Sequence, residues 1–128
     1  MDSRLLWVCI GGAAGTAARY WIIGRFGIAS GIPYGTLLVN GIGSLLVGAL
    51  ARVGASTDLL SPTARIALGV GILGGFTTYS AFCFETLGLL QRGSTWTGFL
   101  YVAVTVLGCL AACALGYEIA RWCTSPQA

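Results

Sequence analysis

Four long apolar stretches, separated by short polar segments, dominate this sequence. They run over residues 5–23, 35–51, 64–90 and 96–119. A helix of about 20 apolar residues crosses the hydrocarbon core of a membrane, so the pattern predicts four transmembrane helices. The connections contain turn-forming residues such as Gly31, Pro33, Pro62 and Gly93. We therefore expect residues 1–128 to form a single all-α transmembrane domain.

The composition favours a membrane protein without enzymatic activity. Hydrophobic residues make up 56% of the chain and charged residues 9%, whereas a soluble domain is about 25% charged. The sequence contains no histidine and no lysine, which removes the commonest general base, metal ligand and Schiff-base amine. The net charge of +3 is small and spread along the chain, so no nucleic-acid partner is expected.

The cysteines give no sign of a disulfide framework or a metal site. They are Cys9, Cys83, Cys109, Cys113 and Cys123. None has the CxxC spacing, and four lie in or beside apolar stretches. We interpret them as small apolar packing residues, with a disulfide or a metal site as the alternative.

The positive charges are nearly balanced between the two sides of the membrane. Four spans place both termini and the middle loop on one side, with Arg4, Arg52, Arg65 and Arg121. The other side has Arg19, Arg25 and Arg92. Because orientation follows the arginine bias, this pattern is compatible with insertion in both directions and with an antiparallel dimer. The alternative is a single orientation set by another determinant.

Polar side chains recur at every fourth position in the second and fourth spans. The second span has Thr36, Asn40 and Ser44, followed by Gly48. The fourth has Tyr101, Thr105, Cys109 and Cys113. Residues four apart share one helix face, and polar groups in hydrocarbon are costly unless they are paired or hydrated. The two faces indicate either a polar path or hydrogen bonds between helices.

Small residues also recur at helix-packing intervals. In the fourth span Gly108, Ala112 and Gly116 form a stripe beside the polar face, and the first span offers Gly11 and Gly15. Such stripes let transmembrane helices approach closely.

The third predicted span contains an unfavourable sequence for a continuous helix. Gly74-Gly75 is followed after one residue by Thr77-Thr78, and glycine and threonine are poor helix formers. A break at membrane depth is tolerated only where the freed backbone groups are buried in protein or face a cavity or an ion. We therefore expect a broken third helix.

An aromatic and acidic face follows the expected break. Tyr79, Phe82 and Glu85 are spaced three residues apart, so they lie on neighbouring positions of one helix face. Such a face is compatible with packing as well as with function.

Three strings within these spans resemble the Fluc/CrcB fluoride channel family. The first is GGAAG at residues 11–15, which leads to Arg19-Tyr20. The second is GTLLVNGIGS at residues 35–44, and the third is GGFTTYSAF at residues 74–82. The strings cover the first three spans, and the polar face of the fourth span completes the likeness.

The resemblance implies a passive, fluoride-selective channel that exports cytoplasmic fluoride through the inner membrane. It implies an antiparallel, dual-topology homodimer with two pores, and a structural Na⁺ at the dimer centre. The Na⁺ would be held by backbone carbonyls of Gly74 and Thr77. The pore residues that it implies are Asn40, Tyr79, Phe82, Ser80, Thr36, Ser44, Glu85, Tyr101, Thr105 and Cys109.

Three positions depart from the family pattern. Tyr79 stands where phenylalanine is usual, Ala81 where threonine is common, and Cys109 where a hydroxyl is common. The departures change the aromatic pair and remove hydroxyl donors from the expected path.

Two other functions are compatible with four short spans. A small multidrug-type, proton-coupled exporter needs a carboxylate in the first span, whereas the carboxylate here, Glu85, lies in the third. A non-transporting membrane assembly protein would explain the glycine stripes but not the polar faces.

Overall fold

A computed structural model of the chain describes residues 3–29 and 31–125. Its helices are α1 (Ser3–Phe26), α2 (Tyr34–Ser56), α3 (Pro62–Ile66), α4 (Gly74–Phe76), α5 (Tyr79–Gln91) and α6 (Thr95–Thr124). A π-helical segment, Ala67–Leu73, joins α3 to α4. Between α1 and α2, the short strands β1 (Ile28–Ala29) and β2 (Ile32–Pro33) pair antiparallel.

Four helical stretches are long and apolar enough to cross a membrane. They are α1, α2, the run Pro62–Gln91 and α6, which confirms the predicted all-α architecture and the order of its spans. The helices extend beyond the apolar stretches at their ends. The helix α2, for example, continues through Arg52 to Ser56, because long polar side chains can reach from a helix end into the interface.

The third span is broken at Thr77 and Thr78, as the sequence predicts. Both residues have extended backbone, with ψ of 157° and 114°. The hydroxyl of Thr78 then accepts a hydrogen bond from the Ala81 N–H at 3.2 Å and so caps the start of α5. Threonine is a favoured cap residue because its oxygen satisfies a free amide of the first turn.

The π-helical segment is not predicted by the sequence, and it lies where α1 approaches the third span most closely. A Cβ on Gly11 would lie 2.8 Å from the Ala67 carbonyl oxygen, and a Cβ on Gly15 would collide with the carbonyl of Ile72. The two glycines therefore have the packing role expected of them. The sequence of the segment, ALGVGIL, contains no feature that predicts the wider turn of a π-helix.

A second close contact joins α2 to α6. A Cβ on Gly48 would collide with the carbonyl of Cys113, and a Cβ on Gly116 would collide with that of Leu45. The packing stripe on the fourth span is therefore confirmed at Gly116. Gly108, two turns earlier, has no atom within 4 Å of the place where a Cβ would stand, so this contact does not extend to it.

The interior is small and the outside is largely apolar. The best buried large side chains include Val39, Phe82, Leu89 and Tyr101. Many leucines, valines and aromatic residues point outwards. A surface of this kind is stable when lipid surrounds it.

Enlarging Gly116 should destabilise the fold. In Gly116→Ala the new methyl group meets a backbone carbonyl of α2 that cannot move aside, and overpacking of this kind costs about 1–3 kcal/mol. The thermal midpoint, measured in detergent as loss of the monodisperse gel-filtration peak, should fall. Gly108→Ala is the matched control and should leave the midpoint unchanged or slightly higher. Equal midpoints for the two variants would contradict the packing assignment.

Candidate functional site: a polar groove beside the helix break

The side chain of Asn40 forms hydrogen bonds with the backbone at the break in the third span. Its Nδ2 donates to the Thr78 carbonyl at 3.0 Å, and its Oδ1 accepts from the Thr78 N–H at 2.8 Å. Asn40 is 9% exposed and Thr78 is 7% exposed, so both bonds are shielded from water. Asn40 thus replaces the helical partners that Thr78 loses at the break. Since a primary amide has two N–H groups, one donor of Asn40 remains for another acceptor.

The carbonyls freed by the break find partners on α1. Arg19 Nη1 donates to the Thr77 carbonyl at 3.3 Å, and the Thr16 hydroxyl approaches the Gly75 carbonyl at 3.4 Å. In a continuous α-helix the Gly74 carbonyl would accept from the Thr78 N–H, which here donates to Asn40. The break therefore leaves the Gly74 carbonyl without its helical donor.

A groove of about 400 Å³ runs between α2, the third span and α6. It brings together eight of the predicted pore and Na⁺ residues. They are Asn40, Ser44, Gly74, Thr77, Tyr79, Phe82, Thr105 and Cys109. Residues that lie far apart in the chain thus border one space, and none of its lining side chains is charged.

One wall of the groove carries a buried hydroxyl with no hydrogen-bond partner. Thr105 is 6% exposed, and its Oγ1 has no partner among the described residues. A buried hydroxyl without a partner is unfavourable by about 1–3 kcal/mol. The groove therefore offers an unused donor at Thr105, one helical turn from Cys109.

Three aromatic rings form a chain at one end of the groove. The ring centroids of Tyr79 and Phe82 are 5.6 Å apart, those of Phe82 and Tyr101 are 5.4 Å apart, and both pairs are tilted by 52°. Tilted pairs place the electropositive edge of one ring towards the face of another. Phe82 is 6% exposed and Tyr101 is also buried, whereas Tyr79 is 77% exposed, so in a single chain Tyr79 is the ring of the three that stays uncovered.

Glu85 is held by hydroxyl groups from two neighbouring helices. The Thr36 hydroxyl donates to its Oε1 at 2.7 Å, and the Tyr101 hydroxyl donates to its Oε2 at 2.8 Å. Thr36 and Tyr101 are almost completely buried. These three predicted residues therefore form a cluster of their own that joins α2, α5 and α6, next to the ring of Phe82.

The remaining predicted pore residue, Ser80, does not line the groove. It lines a second pocket together with Arg19, Thr78 and Ala81, and its hydroxyl is 3.4 Å from that of Thr78. Arg19 is the residue that the sequence analysis misses as part of the site. An arginine inside an apolar span is unusual and could have indicated a functional role. The sequence does not show its partner, however, because Thr77 lies 58 residues further along the chain.

The cysteines are free thiols. Within the described residues, no group of three or more histidine, cysteine, aspartate or glutamate side chains is arranged to hold a metal ion. A cation site built from neutral carbonyls is a different case. Gly74 and Thr77 both line the groove, and carbonyl oxygens suit a hard cation. The bond from Arg19 uses one of the two lone pairs of the Thr77 oxygen and leaves the other.

Comparison with known proteins identifies the family. The model of the family described as CrcB-like protein, camphor resistance (CrcB), matches residues 6–117. The chain belongs to the CrcB family. It is 49% identical over 122 residues to the fluoride-specific ion channel FluC of Sorangium cellulosum, covering 92% of this chain and 94% of that protein.

Other members of the family match over a similar length. The chain is 43% identical over 124 residues to the protein of the same name from Anaeromyxobacter dehalogenans, covering 94% of this chain and 97% of the relative. It is 42% identical over 120 residues to that of Thermus thermophilus, covering 91% and 92%. With its four spans, this CrcB protein is a multi-pass integral membrane protein.

Removing the amide of Asn40 should loosen the start of α5. In Asn40→Ala the buried N–H and carbonyl of Thr78 lose their partners, and each loss costs about 1–3 kcal/mol. Hydrogen exchange at the amides of residues 78–82 should therefore become faster. Ser44→Ala, one turn along the same face of α2, should leave this exchange unchanged. Unaltered protection in Asn40→Ala would show that other contacts hold the break.

Proposed function

We propose that the chain is a passive, fluoride-selective channel that exports fluoride through the inner membrane. Two findings support the proposal: the relatives are named fluoride-specific ion channels, and a groove between α2, the third span and α6 is bordered by several neutral polar side chains. The observation that carries it is the buried, unpartnered hydroxyl of Thr105 in this groove. A groove whose wall holds a free donor suits a small anion.

The groove combines several weak donors rather than one strong charge. Fluoride is strongly hydrated, so a pore must replace its water shell. Hydroxyls such as that of Thr105, the free N–H of Asn40 and the ring edge of Phe82 can each contact a bare anion. Conduction requires sites that bind weakly enough to release the ion, and no charged side chain lines the groove. Arg19 lies in the neighbouring pocket instead.

The role as an exporter follows from weak-acid chemistry. Hydrogen fluoride crosses a membrane as a neutral molecule and ionises in a less acidic cytoplasm, where the anion is trapped. A channel then suffices for export, because a membrane potential that is negative inside drives the anion outwards. The fluoride ion is the expected cargo, and membrane lipid is the expected surrounding.

We also infer that two copies assemble antiparallel, with one pore on each. Four arginines are expected on one side, and Arg25 and Arg92 on the other, since Arg19 contacts the Thr77 carbonyl at the break. This small bias supports insertion in both directions. The groove of a single chain leaves Tyr79 largely exposed, and a second copy would cover this ring. Two copies would also bring together four carbonyl oxygens from Gly74 and Thr77, which is a donor set for a structural Na⁺. The ion would compensate the carbonyl dipoles freed at the break.

The alternatives have less support. The carboxylate that a proton-coupled exporter would use is Glu85, and both of its oxygens accept hydrogen bonds from Thr36 and Tyr101. A non-transporting assembly protein has no use for the unpartnered donor of Thr105. The names of the relatives describe channels, in agreement with the expected absence of enzymatic activity.

Fluoride efflux from liposomes that contain only the purified chain tests the function, with chloride as the control anion. Phe82→Ile should lose most of the efflux, because the ring edge is removed while the bulk is nearly kept. Tyr79→Phe is the matched control and should retain efflux, since its ring edge remains. Gel filtration of the same preparations separates loss of flux from loss of folding. Normal efflux from well-folded Phe82→Ile protein would contradict the aromatic role.

Labelling of single cysteines placed in the loops tests the orientation. In a background without the native cysteines, a cysteine at Ser94 should react with a membrane-impermeant reagent from both sides of the membrane. A cysteine at Ser61, in the opposite loop, should give the same result. Reaction from one side alone, at both positions, would contradict dual topology.

A further inference from the structure

A thiol stands on the wall of the groove beside the unpartnered hydroxyl. Cys109 is half-buried and lines the groove one helical turn beyond Thr105. Residues four apart on a helix are neighbours, with Cβ atoms about 5–6 Å apart. The Thr105 oxygen is buried and has no partner among the described residues, so a hydrogen-bonding group beside Cys109 is left unsatisfied by the chain itself. Cys109 is the cysteine that lines this groove.

We propose that Cys109 is a modification site at which small thiol-specific electrophiles close the channel. The proposal rests on the function proposed above. The reagent class is a small disulfide or thiosulfonate. The Cys109 sulfur attacks the divalent sulfur of the reagent, and a new S–S bond forms as the S–S bond of the reagent breaks. With a thiosulfonate, a sulfinate leaves and the thiol proton passes to water.

Modification removes a weak donor and adds an apolar group where the ion passes. A methylthio group on Cys109 would occupy space in the groove that Thr105, Asn40 and Phe82 also border. A dehydrated anion is destabilised when an apolar group replaces a hydrogen-bond donor beside it, since hydrogen bonds to charged groups contribute about 1.5–3 kcal/mol. We therefore expect fluoride efflux to fall by about tenfold or more.

The other cysteines provide controls within the same chain. Cys113 is also half-buried and lies one turn further along α6, but it does not line the groove. Its backbone carbonyl faces Gly48 of α2, so a change of its side chain tests general damage to α6. Cys123 is exposed near the end of α6 and reports whether the reagent reaches the protein at all. Cys9 and Cys83 are exposed within membrane spans, where lipid surrounds them.

The experiment treats liposomes containing the full chain with methyl methanethiosulfonate and follows fluoride efflux. Each preparation is compared with its own untreated sample, because Cys109 belongs to the proposed pore and its replacement can change the starting flux. The wild-type protein and Cys113→Ser should lose efflux and regain it with dithiothreitol, whereas Cys109→Ser should not respond. Mass spectrometry of the treated wild-type protein should find the methylthio group on Cys109.

Three results would overturn the proposal. One is full efflux from wild-type protein whose Cys109 is modified, and the second is equal inhibition of Cys109→Ser. The third is an unmodified Cys109 in a sample where Cys123 has reacted, which needs no variant and no flux measurement. Absence of fluoride efflux before treatment would instead contradict the proposed function, and labelling of Cys109 would still decide whether the thiol is accessible from the groove.

Discussion

The pair of hydrogen bonds between Asn40 and Thr78 is the interaction on which the rest of this structure depends. A backbone break at membrane depth exposes amides and carbonyls that hydrocarbon cannot satisfy. The amide of Asn40 matches both backbone groups of Thr78, one as donor and one as acceptor. The hydroxyl of Thr78 then begins the new helix. Without these bonds, the buried N–H and carbonyl of Thr78 would each lack a partner, at a cost of about 1–3 kcal/mol.

The contact between Asn40 and Thr78 also positions the helices that border the groove. Asn40 is held against the third span from α2, and this helix in turn packs on α6 through Gly48 and Gly116. The polar faces of α2 and α6 therefore meet beside the break rather than in lipid. Thr105 is brought to the groove without any group of the chain to satisfy it. The polar groups at the break thus satisfy the backbone, while the Thr105 hydroxyl and one N–H of Asn40 remain as donors beside the groove.

The sequence predicts the architecture well because lipid imposes simple rules. Span length predicts the four spans, and the Gly-Gly and Thr-Thr pairs predict the break. The four-residue spacing places the polar groups on one helix face but leaves open whether that face lines a path or bonds to a neighbouring helix. The partners of the break do not follow. Arg19 reaches Thr77 across 58 positions, and the contacts of Glu85 with Thr36 and Tyr101 cross three helices. Periodicity places a residue on a face but does not say which neighbour that face meets.

The same limit applies to the aromatic residues and the π-helical segment. Spacing puts Tyr79 and Phe82 on neighbouring positions, yet one ring is enclosed and the other is exposed, because α6 covers only the second of them through Tyr101. The π-helical segment depends on the approach of α1 at Gly11 and Gly15, which is a tertiary contact. Both features are set by packing between spans, and a single sequence records such packing only as glycines at the points of contact.

The distribution of charge around the break gives the groove its character. Arg19 donates to the carbonyl of Thr77, the residue that follows the end of α4. Its positive charge thus compensates part of the negative end of that helical segment. Arg19 lies in the pocket that also contains Ser80. The groove beyond Thr78 contains only neutral donors. An anion near Arg19 would be attracted by a full charge, whereas one in the groove would meet dipoles and ring edges. If the groove is the path proposed above, Arg19 stands beside it rather than within it. A nearby charge can then attract the anion while the groove itself binds it weakly enough for release, as conduction requires.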